Sequence, residues 1–249
     1  VRTLVEGQPL YLTWSPAGDR LLIHIDNDRL EYWDVAGDGE PLTQTFADFP
    51  TPQWSADGTQ LLYARGEAGA QQLILADTDG NLTQEITDFE QQISFNLSPT
   101  SDRVAYAVSP ANVGTAAFGS LYIVELANNR TRELTTEPVM AFFWSPDGTK
   151  LAYLVVDNQS EVPRLRWHVW DGTSRRAYAA FVPSRAFLQA YIAFFDQYAR
   201  SMTIWAPDSN AFAYAAMDEG LGNNIWVQQL DHDEPERVSR GVFVAWSPR

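Results

Sequence analysis

Three histidines, 32 carboxylates and several Asp-Gly pairs are the groups of this chain with chemical potential. His24 falls in an expected second strand, His168 in a third strand and His232 in a turn. No two of them share an element at metal-ligand spacing, so they read as ordinary strand and turn histidines. Serine hydrolysis of the peptidase type calls for a Gly-x-Ser-x-Gly elbow, and the sequence has none. Cysteine is absent, which removes disulfides, thiolate nucleophiles and cysteine-ligated zinc together. Asp77-Thr78-Asp79-Gly80-Asn81 has the look of a calcium loop. With Gly80 on the loop's glycine, Leu75 takes the first ligand position and Ile86 the position that needs a bidentate Glu. Residues 34–45 fail in the same way at Thr45, so these Asp-Gly pairs read as hairpin turns. Residues 231–234 read as a solvated acidic turn. No glycine-rich phosphate loop occurs. The expectation is therefore no catalytic residue, no metal site and no cofactor: a chain that binds rather than an enzyme.

Charge narrows the partner. Seventeen Lys and Arg stand against 32 Asp and Glu, a net charge of −15 over 249 residues. A nucleic-acid partner needs a clustered basic footprint, and Arg175-Arg176 is the only adjacent basic pair. No apolar run is long enough to span a bilayer, so no membrane insertion by this segment is expected. Apolar residues make up 45% of the chain, enough for a sizeable core.

The elements that must position any site come from a repeat. Trp14-Ser15-Pro16-Ala17-Gly18 recurs as Trp54-Ser55-Ala56-Asp57-Gly58, Leu97-Ser98-Pro99-Thr100-Ser101, Trp144-Ser145-Pro146-Asp147-Gly148, Trp205-Ala206-Pro207-Asp208-Ser209 and Trp246-Ser247-Pro248. Successive spacings are 40, 43, 47, 61 and 41 residues. A period of about 40–50 residues with strand signals is that of propeller blades. Each period leads an apolar run into the Trp, turns, and forms a second strand (20–25, 60–65, 103–108, 150–155, 210–216). A third strand (30–35, 73–76, 121–126, 165–170, 225–230) and a more polar fourth follow. Pro presets the turn and Gly suits its end, while Ser and Asp hold it through nearby amides. Inner strands such as Leu61-Leu62-Tyr63 are apolar on both faces, as a sheet between two neighbours requires. Residues 2–5 match a fourth strand and 242–246 a first strand. The expected fold is all-β: one propeller domain over 1–249, with five complete four-stranded antiparallel blades starting near 10, 50, 93, 139 and 201. Strands of an incomplete sixth lie at 1–5 and 242–249. The third copy, lacking Trp and Gly, should keep its strands with an altered turn.

Trp144 to Gly148 followed by Leu151-Ala152-Tyr153 resembles the WD40-like β-propeller repeat of TolB-type proteins. So does 53–63 followed by Leu73-Ile74-Leu75-Ala76-Asp77 and Glu85-Ile86-Thr87. The resemblance runs over nearly the whole chain. It implies a non-catalytic propeller that binds another protein, working outside the cytoplasm (periplasmic, secreted or membrane-tethered).

Two insertions interrupt the period. Residues 109–119 lengthen a loop and are small and Gly/Ala-rich, so a mobile surface loop is expected. Residues 184–200 carry Phe187, Tyr191, Phe194 and Tyr198 at helical spacing, with Ser184 placed to cap. The expected helix lies across the ring's end near the central channel, its aromatic face packed on the blades or serving as a lid. Phe195-Asp196-Gln197-Tyr198 also resembles a segment of TolB-like propellers. Loops from strand two to three and from one blade to the next share one face, and they make it acidic. The candidate interaction surface is Asp88, Asp157, Asp196, Gln197, Tyr198, Asp218, Glu219, Asn223 and Asn224, suited to a basic partner. Two other readings stand beside this one. One is the substrate-gating propeller of a prolyl-oligopeptidase-type serine peptidase. The other is a carbohydrate- or small-molecule-binding propeller with Trp33, Trp167 or Trp226 in its pocket.

Overall fold

The computed structural model describes the chain apart from residues 1–4, 9, 27, 28, 36, 38, 44–50, 68, 111–116, 160, 161, 199–201, 219, 221, 248 and 249. The expected closing strand at 2–5 therefore lies, except for Val5, outside the described residues. So does the middle of the 109–119 loop, whose ends are tied by Ser109 N–H to the Gln92 carbonyl and Gly119 N–H to that of Val108.

Nineteen described strands form four antiparallel sheets. The first holds β1 (Leu10–Trp14), β2 (Arg20–Ile25), β3 (Arg29–Asp34) and β4 (Gly39–Thr43). The second holds β5 (Gln53–Trp54), β6 (Gln60–Glu67), β7 (Ala70–Asp77) and β8 (Leu82–Phe89). The third holds β9 (Ile93–Leu97), β10 (Arg103–Val108), β11 (Leu121–Glu125) and β12 (Arg130–Thr135). Each runs in simple up-and-down order, as short hairpin connections dictate.

The fourth sheet departs from the expected four strands. It orders β13 (Val139–Trp144), β14 (Leu151–Asp157), β15 (Arg164–Trp170), β16 (Arg175–Pro183), β17 (Ala211–Met217), β18 (Asn223–Gln229) and β19 (Glu236–Arg240) in one seven-stranded array. β16 runs on to Pro183 because Tyr178 and Phe181 continue its buried face. Its end pairs with β17 at Val182–Met217 and Pro183–Ala216. The first strand expected near 201 is reduced to a single bridge, Trp205 to Phe212. Residues 241–247 form no strand.

Alternation along each strand sorts side chains between interfaces. Leu61, Tyr63, Ile74 and Ala76 cluster with Leu22 and Leu30 of the first sheet. Their neighbours Leu62, Ala64, Leu73 and Leu75 cluster with Phe95, Leu97 and Val104 of the third. A sheet buried on both faces needs this doubly apolar pattern. The largest core joins the third and fourth sheets to the inserted helices. β1 is the exception: Leu10, Leu12 and Trp14 are 43%, 49% and 52% exposed on the face turned away from the second sheet.

Indoles stitch neighbouring repeats. Trp144 Nε1 donates to the Asn96 carbonyl (3.0 Å), Trp205 Nε1 to that of Phe143 (2.9 Å) and Trp246 Nε1 to that of Ile204 (2.7 Å). Each acceptor immediately precedes the leading residue of the previous copy. Leu97 has no indole to donate. There the link is reversed: Gln53 donates to the Phe95 carbonyl (3.0 Å) and accepts from Leu97 N–H (2.8 Å).

The turns also bear on the third copy. Ser15, Ser55, Ser98 and Ser145 hydroxyls each accept the amide five residues on. Gly18, Gly58 and Gly148 end their turns near φ +70. Ser101 and Ser209 take the same place at φ 56 and 60 despite carrying a Cβ. Their hydroxyls accept N–H from Ala56 (2.7 Å) and Asp147 (3.1 Å) of neighbouring turns, which offsets the strain.

Candidate functional site: a cleft between the inserted helix and the first two sheets

The insertion folds as α1 (Arg185–Ala190), a 3₁₀ turn (Ile192–Phe194) and α2 (Phe195–Tyr198). Ser184 caps α1 by accepting N–H from Phe187 (3.1 Å). Phe187 and Tyr191 are buried and stacked, with ring centroids 5.6 Å apart. The helical phase breaks at Tyr191, because a 3₁₀ turn advances three residues per turn rather than 3.6. Phe194 is consequently 44% exposed, a correction to the expected aromatic face, and Phe195 is buried in its place. The Phe195 ring meets Phe142, Phe143 and Phe118 edge-on. That anchor directs the polar end of α2 across to β1, where Tyr11 Oη lies 3.4 Å from the Gln197 carbonyl.

Between α2, β1 and β5 lies a cleft of about 170 Å³. Tyr11, Thr13 and Trp14 come from β1, Gln53 and Trp54 from β5, and Asp196 and Gln197 from α2. Pro16, Thr51 and Pro52 complete the lining. Pro52 has no N–H for a ladder, so β5 pairs only at Gln53 and Trp54 and residues 51–52 are left beside the cleft. Thr51 is 96% buried, being 4% exposed, and its Oγ1 has no hydrogen-bond partner among the described residues. Burial pushes the half-buried Asp196 carboxyl above its ordinary value, and the Gln197 amide and its own amide pull it partly back. Among the described residues no basic group lines the cleft. The space equals about six waters at about 30 Å³ each.

Other expected site residues are held in local hydrogen bonds. Asp88 accepts from Gln72 Nε2 (2.9 Å). Asp157 is held below its usual range by the Gln159 amide and, despite burial, by Arg166 at 2.7 Å. Asp218 accepts from Gly222 N–H (2.8 Å) and Asn224 Nδ2 (2.9 Å), which lower it likewise, with Arg237 3.6 Å away. Asn223 opens β18, and its carbonyl accepts from Gly241 N–H. Tyr198 closes α2. Glu219 lies outside the described residues. The structure thus joins Asp196 with Gln197, and Asp218 with Asn224, as separate groups. The tryptophans expected in a pocket do not line the cleft. Trp167 is core, Trp226 packs half-buried against that core, and Trp33 donates Nε1 to Glu31. The lining residues Tyr11, Thr13 and Thr51 were not singled out by sequence. Their only signal was a place on or just before a first strand.

Asp77 accepts N–H from Asp79 and Asn81, closing a hairpin turn. Among the described residues no three His, Asp or Glu converge as metal ligands. No described helix is long and apolar enough to cross a membrane.

No family model and no curated protein matches the sequence. Solved structures do. An oligogalacturonate lyase in complex with manganese superposes with TM-score 0.65 at 17% identity, over 95% of this chain and 67% of that one. The β-propeller domain of the Trilobed protease from Pyrococcus furiosus gives 0.55 at 15%, over 93% and 69%. TolB from Acinetobacter baumannii gives 0.49 at 13%, over 93% and 52%. The chain has a β-propeller fold, shared at low identity with a lyase and with the propeller domain of a protease. Such a fold does not fix a function, which must be argued from the site.

Proposed function

We propose that this chain is a non-catalytic binding propeller that takes a small polar molecule in the cleft between β1, β5 and α2. The observation that carries the reading is the cleft itself, lined by Tyr11, by the half-buried Asp196 and by Thr51, whose buried hydroxyl has no partner among the described residues. Apolar walls with a few convergent polar groups are the usual make-up of a ligand pocket. The acidic rim supports docking of a basic protein less well, since Asp88, Asp157 and Asp218 are already engaged within the chain.

As the frame for this site we propose a TolB-type propeller acting outside the cytoplasm, whose repeat continues to Trp246 although 241–247 form no strand. The Trp246–Ile204 link, built like those of the two preceding repeats, supports that continuation.

Calorimetry with a panel of monosaccharides, polyols and small amines tests the function. Saturable one-site binding that disappears in Gln197→Trp, which fills the cleft, is the expected result. Binding undiminished in that variant, or none from any class, overturns the reading.

A further inference from the structure

We infer that the cleft selects an organic ammonium ion over a neutral molecule of the same shape, an inference that rests on the cleft reading. Three features on different elements converge on that class. Asp196 supplies a carboxylate from α2, and no basic side chain among the described lining residues neutralises it. Tyr11 supplies aromatic surface from β1, and a ring face attracts a cation through its quadrupole. Thr51 offers a buried hydroxyl with no partner among the described residues, suited to a hydroxyl or N–H on the same ligand.

Other classes fit less well. An anion would meet Asp196 with no counter-charge among the described lining residues, in a chain of net charge −15. A divalent metal needs several oxygen ligands, and Asp196 is the only carboxylate among the described lining residues. A neutral polyol could bond Thr51 and Asp196 but would gain nothing from the charge. Burial, which raises the Asp196 carboxyl, fits the account, since an ammonium ion beside it would favour the charged form.

The test compares choline with its uncharged isostere 3,3-dimethylbutan-1-ol by calorimetry at neutral pH. Choline should bind at least about tenfold more tightly, a ratio within the range of a desolvated cation–π contact. Asp196→Asn, close to isosteric, should remove that preference, and Thr51→Val should weaken both probes. Asp88→Asn removes one negative charge from the rim and should leave choline affinity unchanged. Equal binding of the two probes overturns the inference while leaving the cleft reading intact. Equal losses in the Asp196 and Asp88 variants also overturn it, because general charge attraction would then explain the preference. Failure of both probes and of the whole solute panel overturns the inference and the cleft reading together.

Discussion

The indole N–H of Trp205 points at the carbonyl oxygen of Phe143, 2.9 Å away and 62 residues earlier in the chain. Trp144 and Trp246 make the same bond to the residue before the leading position of the previous copy, Asn96 and Ile204. The repeat Trp is thus an interblade donor as well as apolar bulk, and its absence at Leu97 has to be made good elsewhere.

Gln53 supplies that replacement. Both ends of its buried amide are engaged, with the Phe95 carbonyl and the Leu97 amide. Gln53→Ala leaves two buried backbone groups unpaired, at a cost of about 2 kcal/mol or more. Urea unfolding should show a lower midpoint at unchanged slope.

The insertion's two adjacent phenylalanines should behave oppositely. Phe195→Ala empties a site against three other rings and should cost about 3–5 kcal/mol. Phe194→Ala, at an exposed position, should change stability by under about 0.5 kcal/mol. Thermal unfolding of both variants checks the phase change at the 3₁₀ turn.

Asp147 should give an acid-sensitive element. Burial pushes its carboxyl up, but the Ser145 hydroxyl and Thr149 amide outweigh that and hold it down at about 2. A carboxyl lowered on folding stabilises above its unfolded value, and the contribution fades as pH falls through about 2. Asp147→Asn should flatten stability against pH between about 5 and 2, measured by unfolding across that range.

Asp196 has the opposite sign. Its carboxyl is raised on folding, so its favourable contribution is present below the unfolded value and lost as pH rises through the folded one. Asp196→Asn should therefore raise the thermal midpoint at pH 7 and leave it little changed at pH 3. A lower midpoint at pH 7 would mean that the carboxylate is stabilised by something other than solvent.

Much of the propeller was legible because one period sets strand, turn and burial together. Leu61-Leu62-Tyr63 announces a doubly buried strand, and Ser145-Pro146-Asp147-Gly148 announces its turn. The seven-stranded array was not legible, since β16's extension to Pro183 depends on which partner is free at Ala216 and Met217. The helix was visible from Ser184 and the aromatic spacing, but its break at Tyr191 was not. Of the cleft, Asp196 and Gln197 were foreseen. Tyr11, Thr13 and Thr51 were not, because their meeting with α2 spans more than 140 residues of chain.

Diffraction from crystals soaked separately with choline and with glucose tests the central claim most directly. The account predicts an ordered molecule from at least one soak in the cleft, touching Asp196 and Thr51 between β1 and α2. A cleft holding only water in both soaks, or a ligand ordered solely on the rim beside Asp88, Asp157 or Asp218, would contradict it.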